Sequence, residues 1–134
     1  MSGPEGTLET YFRGELMSYG FKVVKFVPDS AAGSPDRWIF RPKWSPGAPM
    51  LVELKAPGKK PRKLQRAVID DYAARGVKVL PYIASKVQAD ATIYELVWRA
   101  VRDVPLYERV NLPPHITRAA SQYDAKIGFT HEDT

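Results

Sequence analysis

The chain has no cysteine. That excludes disulfides, thiol nucleophiles and cysteine-ligated zinc at once, and it fits a reducing cytoplasm. Histidine is nearly absent: His115 and His131 stand alone near the C-terminus, with no ββα-type histidine-asparagine motif around them. No apolar run approaches the roughly 20 residues that span a bilayer. The first residues, Met1-Ser2-Gly3-Pro4-Glu5, lack the basic and apolar regions of a signal peptide, so a cytoplasmic location without membrane contact is expected. There is no glycine-rich phosphate loop, which argues against a nucleotide cofactor. Neither an internal repeat nor a low-complexity tract is present.

What the chain does have is enough material for one domain: 134 residues, 44% hydrophobic. Its formal charge is +5 and its pI about 9.5. The excess is concentrated, because Lys59, Lys60, Arg62, Lys63 and Arg66 fall within eight residues. Such a block attracts phosphate backbones, although a solvated helix start would look the same.

Apolar periodicity divides the chain. Leu8, Tyr11, Phe12, Leu16 and Tyr19 predict a helix over 5–19, with Ser2 and Glu5 in capping-box spacing and Gly20 as its stop. Strands are expected at Lys22–Val27, Arg37–Arg41 and Met50–Lys55. The second and third are joined by Pro42–Pro49, whose three prolines and one glycine suit a hairpin connection. A helix over 61–75 would turn Leu64, Val68, Ile69 and Tyr72 inward. A fourth strand follows at 77–84, and Ser85 caps a helix running to about residue 102. This α-β-β-β-α-β-α order predicts an α/β fold with a central mixed sheet and helices on both faces. Residues 1–102 form the expected domain; 103–134, with weaker patterning, form a C-terminal extension.

The chemistry concentrates in two strings, Gly33-Ser34-Pro35-Asp36-Arg37 and Glu53-Leu54-Lys55. Two residues is the strand period, so Glu53 and Lys55 emerge on one face with Leu54 on the other. If the second and third strands are antiparallel neighbours, Asp36 and Glu53 approach each other, and two such carboxylates repel unless a cation neutralises them. Mg²⁺ or Mn²⁺ suits two carboxylates with the Leu54 backbone carbonyl as a third oxygen. Lys55 would position or deprotonate an attacking water and screen charge on a phosphate. Taken singly, an aspartate after proline is also a turn residue, and Glu-x-Lys is also an exposed strand edge. Together, ahead of a basic helix, they point to metal-assisted phosphodiester hydrolysis. Arg37 and Lys25 could flank such a site and touch phosphate. Trp38, Phe40 and Trp44 suit core packing, with Trp44 the best placed of them to stack on a base.

These residues resemble the VRR-NUC domain of the PD-(D/E)XK nuclease superfamily. The resemblance rests on Gly33-Ser34-Pro35-Asp36-Arg37 and on Val52-Glu53-Leu54-Lys55-Ala56-Pro57-Gly58-Lys59-Lys60-Pro61-Arg62-Lys63-Leu64-Gln65, and it covers roughly residues 5–85. Ser34 departs from it, since the family often has valine or another apolar residue there. The resemblance implies a restriction-endonuclease-like α-β-β-β-α-β core. It also implies Asp36 and Glu53 as the metal-binding pair, Lys55 as the motif lysine and Gln65 as the glutamine of the following helix. A first-helix glutamate often completes such sites. At about 100° per residue, the apolar stripe of that helix centres on Glu5, with Glu9 roughly 40° further round; Glu5 is the first choice, Glu9 the second, and a capping role competes for Glu5. The basic residues Lys25, Arg37, Lys59, Lys60, Arg62, Lys63 and Arg66 would contact DNA.

Stand-alone proteins of this family resemble viral and bacterial Holliday-junction resolvases, which act as homodimers. A two-fold pair of sites is what symmetric cutting of a four-way junction needs. The expected activity is therefore a metal-dependent, structure-specific endonuclease on branched DNA. Its helix over 86–102, with Ile93, Leu96, Val97 and Val101, and its C-terminal extension are candidate dimer surfaces, with burial of the sheet's other face as their simpler role. Alternatives are a nickase or flap-type nuclease, or a DNA-binding module of the same fold without cleavage.

Overall fold

Leu8, Phe12 and Leu16, four residues apart, make the buried stripe of the first helix, α1 (Pro4–Ser18). In the computed structural model, described over residues 4–25, 35–55 and 62–127, this stripe lies against the sheet and α3. Gly20 ends the helix region with a φ of 95°, and a Cβ there would come within 2.9 Å of the Trp44 indole nitrogen. Glycine alone satisfies both the left-handed backbone and the close approach. Trp44 donates to the Tyr19 carbonyl at 3.0 Å and packs on the core. Its role is to pin the α1 exit, the packing use expected of the hairpin aromatics rather than the base stacking for which Trp44 was the best placed of them.

The sheet is mixed, in the order β1 (Lys22–Lys25), β2 (Arg37–Phe40), β3 (Met50–Val52), β4 (Lys78–Val79). The first three strands are antiparallel and β3 pairs with β4 in parallel. A parallel pair needs a crossover, and α2 (Lys63–Ala74) supplies it. Val23, Ile39, Met50 and Val52 face α1 and α3 in the core, so alternation sends Val24, Trp38, Phe40 and Leu51 to the opposite face. There α2 lies over β4.

Strand β3 is shorter than its sequence suggests, and Glu53 stands just past its end. The ladder nevertheless continues: Ile83 N–H donates to the Glu53 carbonyl at 2.9 Å, and Lys55 N–H to the Ile83 carbonyl at 2.8 Å. Leu51 pairs with Val79 but Leu54 with Ile83. The β4 side thus spends one residue more than the β3 side, a bulge. Pro81, which has no N–H to give a ladder, falls inside it.

Ser85 caps α3 (Lys86–Asp103) as its sequence position implies, accepting from Gln88 N–H at 3.1 Å. Two expectations change. Leu64 is 55% exposed while its neighbour Gln65 is buried, so α2 turns a polar side chain inward. Ile93, Leu96, Val97 and Val101 are buried within the chain itself, which removes that face of α3 as a dimer surface. After a 3-10 helix (Leu106–Asn111), α4 (Pro114–Ile127) buries Ile116, Ala119 and Ala120 against α3. Trp98 on α3 meets the Tyr123 ring at 5.4 Å and donates to Asp124. His115 stacks on Tyr19 and contacts the Ser18 carbonyl at 2.9 Å, tying α4 to the end of α1. The described part of 103–127 is thereby packed onto the rest.

Candidate active site

The register of β2 and β3 pairs Arg37 with Val52. Extended by one step, it sets Asp36 opposite Glu53, two carboxylates on the face away from α1. Asp36 Oδ1 accepts from Leu54 N–H at 3.4 Å. In an extended residue the N–H and C=O leave on the same edge, so the Leu54 carbonyl is turned toward Asp36 rather than toward β4. Leu54 itself is buried in the core, while Lys55 is half-buried on the side of Glu53. The Asp36-Glu53-Leu54-Lys55 group is therefore gathered at one end of the sheet.

Glu53 is only 5% exposed. A buried carboxylate needs a donor, and Gln65 provides one: its Nε2 donates to Glu53 Oε2 at 3.2 Å. The same amide accepts Arg62 N–H through Oε1 at 2.9 Å. That satisfies a free backbone donor at the start of α2. One side chain thus sets both the helix start and the carboxylate.

Arg37 is 4% exposed. Its Nη1 lies 3.2 Å from Asp36 Oδ2 and donates to the Asp36 carbonyl at 3.0 Å, and its Nε lies 3.5 Å from Glu9 Oε1. Sequence reasoning placed Arg37 on DNA phosphate; its burial among carboxylates makes it an internal counter-charge instead. The signal was available, because Arg37 shares strand parity with the core residue Ile39. The same contact brings Glu9, the second-choice glutamate of α1, to the edge of the site, with Arg13 also 3.5 Å from it. The Glu5 side chain, Lys59 and Lys60 lie outside the described residues. Arg62, Lys63 and Arg66 are exposed at the start of α2, and Lys25 is exposed at the end of β1 opposite Arg37.

Among the described residues no three histidine, cysteine, aspartate or glutamate side chains cluster as a ready metal cage. Two carboxylates and one carbonyl do fit a Mg²⁺ or Mn²⁺ ion, which keeps several waters and takes only oxygen.

A solved structure described as a VRR_NUC domain matches this chain with a TM-score of 0.60 and 26% identity. The match covers 69% of this chain and 96% of the other. It supports membership of the VRR-NUC family. No family model and no curated protein sequence matches. The VRR-NUC-like architecture, a four-stranded mixed sheet with flanking helices, has the restriction-endonuclease-like form. A VRR-NUC fold points to a nuclease of the PD-(D/E)XK type. Among the described residues, no helix is long and apolar enough to cross a membrane.

Proposed function

We propose that the protein is a divalent-metal-dependent, structure-specific DNA endonuclease, acting as a homodimer on four-way junctions. The observation that carries the nuclease reading is the pairing of Asp36 with the buried, Gln65-held Glu53 around the Leu54 backbone. Asp36, Glu53 and the Leu54 carbonyl would hold Mg²⁺ or Mn²⁺, with Glu9, bound to Arg37, at the edge of the site. The ion's contribution when bound is to polarise the scissile phosphate and lower the pKa of a coordinated water. The chain's own residues do the rest. Gln65 keeps the Glu53 carboxylate from turning away, and Arg37 holds Asp36 against the end of β2. Lys55 orients the attacking water and offsets charge on the phosphate as the water oxygen bonds to phosphorus and a bridging P–O bond breaks. Lys25, Lys63 and Arg66 take flanking phosphates.

The homodimer needs a surface other than the inner face of α3. The exposed Leu106, Tyr107 and Val110 of the 3-10 corner provide an apolar one. Nicking of other branched DNA by a single copy is the second reading, favoured by the burial of that α3 face. Cleavage of a synthetic four-way junction and of linear duplex, with Mg²⁺, Mn²⁺ or EDTA, tests the proposal for wild type and Glu53→Ala. Paired symmetric cuts in the junction, dependent on metal and lost in the variant, are expected. Equal cutting of duplex would remove the junction assignment. Tight binding without cleavage would leave a DNA-binding module.

A further inference from the structure

Beside the carboxylates lies a groove that they do not use. One wall is Arg66, Ile69 and Asp70, which share a face of α2 at three- and four-residue spacing; the other is Val79, Leu80, Pro81 and Tyr82. Its volume of about 390 Å³ falls in the ~300–1,000 Å³ range of small-ligand sites. The lining is mostly apolar, with one cation, one carboxylate and the Tyr82 phenol as its polar groups. Two covalent neighbours tie it to the site. Arg66 follows Gln65, which holds Glu53, and Tyr82 precedes Ile83, whose N–H is held by the Glu53 carbonyl. The bulge at Pro81 puts Tyr82 on the same face as Glu53, one strand away.

We infer that this groove receives a single unpaired nucleobase from the nucleotide next to the scissile phosphate, an assignment that rests on the nuclease reading. A base is flat and apolar on its faces and polar on its edge. The Tyr82 ring and the Ile69 and Val79 side chains suit the faces, and the Asp70 carboxylate suits the edge. Arg66, with Arg62 and Lys63 exposed on the same helix, supplies the complementary charge for the phosphate that must follow. A paired base has its edge occupied and both faces stacked, so the groove admits only bases already loosened at a branch, flap or mismatch. Asp70 accepts but does not donate, so the groove favours bases carrying an exocyclic amine over thymine. Recognition of branched DNA then follows from a pocket rather than from duplex shape alone.

The test is a binding cycle in EDTA, with junctions carrying a normal or an abasic nucleotide at each position beside the branch. It compares wild type with Tyr82→Ala. One abasic position is expected to weaken wild-type binding roughly tenfold, as loss of one base–aromatic stack does, and to cost Tyr82→Ala little. Equal abasic losses in both proteins, or none at any position, would overturn the pocket. Asp70→Asn, at an exposed residue, guards against a folding artefact: it should abolish the discrimination against thymine while thermal melting stays unchanged, and retained discrimination counts against the inference. Cleavage of the same junctions with Mg²⁺ separates the two claims. Base dependence without any cleavage defeats the nuclease reading and leaves the pocket, whereas cleavage indifferent to the flanking base defeats the pocket alone.

Discussion

Strand β2 has an arginine at each end, and the two are used differently. Arg41, one residue past the strand, donates to the Ser45 carbonyl at 3.0 Å, to Ser45 Oγ at 2.7 Å and to Asp103 at 2.7 Å. The Ser45 hydroxyl passes the chain on to the Ala100 carbonyl at 2.6 Å. One cation, one carboxylate and short hydrogen bonds make a neutral knot between the β2–β3 connection and α3. Arg37, at the other end, faces two carboxylates at 3.2 and 3.5 Å, and one register step further Glu53 stands opposite Asp36. Here three carboxylates gather round one buried cation, the more exposed Arg13 and Lys55 stand beside them, and the contacts are long. A tightly matched network fastens a fold, while carboxylates held only by long contacts are a place where a further cation would be stabilised.

The sharpest way to break this contrast is at Glu53. Glu53→Ala should lower metal-dependent cleavage beyond ~10³-fold, more than the loss of one transition-state hydrogen-bond donor costs, measured as single-turnover rates on a junction. Next come the arginines as a pair. Arg37→Met leaves partly buried carboxylates without their buried counter-charge and should destabilise the metal-free protein by about 3 kcal/mol; Mg²⁺ should restore part of it. Arg41→Met should cost about 2 kcal/mol, with no response to Mg²⁺. Denaturant melts of both variants with and without the ion check this, and equal Mg²⁺ responses would erase the distinction between the two ends. Gln65→Leu should reduce cleavage by ~10–100-fold, the usual cost of losing an outer partner of a metal-binding side chain, while a melt shows the fold retained.

The smallest effect concerns Tyr11, whose hydroxyl donates to Asp90. Burial first, and then this hydrogen bond, push its phenol well above the ordinary value. The unfolded chain loses that proton near pH ~10 while the folded chain keeps it. Stability from this group is therefore complete below about pH 10 and falls as pH rises toward the folded value. Melts of wild type and Tyr11→Phe between pH 8 and 11 should show a shallower alkaline decline in the variant.

Much of the sheet was legible because strand alternation and the proline-rich connection between β2 and β3 are local signals. The opposition of Asp36 and Glu53 followed from that hairpin. Gln65 was reached only through resemblance: apolar spacing favoured Leu64, and nothing local says that a buried carboxylate will draw a polar side chain inward. The Arg37–Glu9 contact joins α1 to β2, and no periodicity reports such a long-range pair. Helix α4 was underread for another reason. Ile116, Ala119, Ala120 and Tyr123 do have helical spacing, but two alanines carry little hydrophobic signal although they allow close packing on α3.

The proline bulge sets a rule about length. Between Leu51 and Leu54 three steps of β3 are matched by four steps from Val79 to Ile83. Removing Pro81 would not merely shorten a loop. It would equalise the two sides at three steps each, a regular ladder in which Ile83 still meets Leu54 in the core and Tyr82 stays on the outer face. This segment can therefore give up one residue and keep its register, whereas loss of a second would exchange inside for outside.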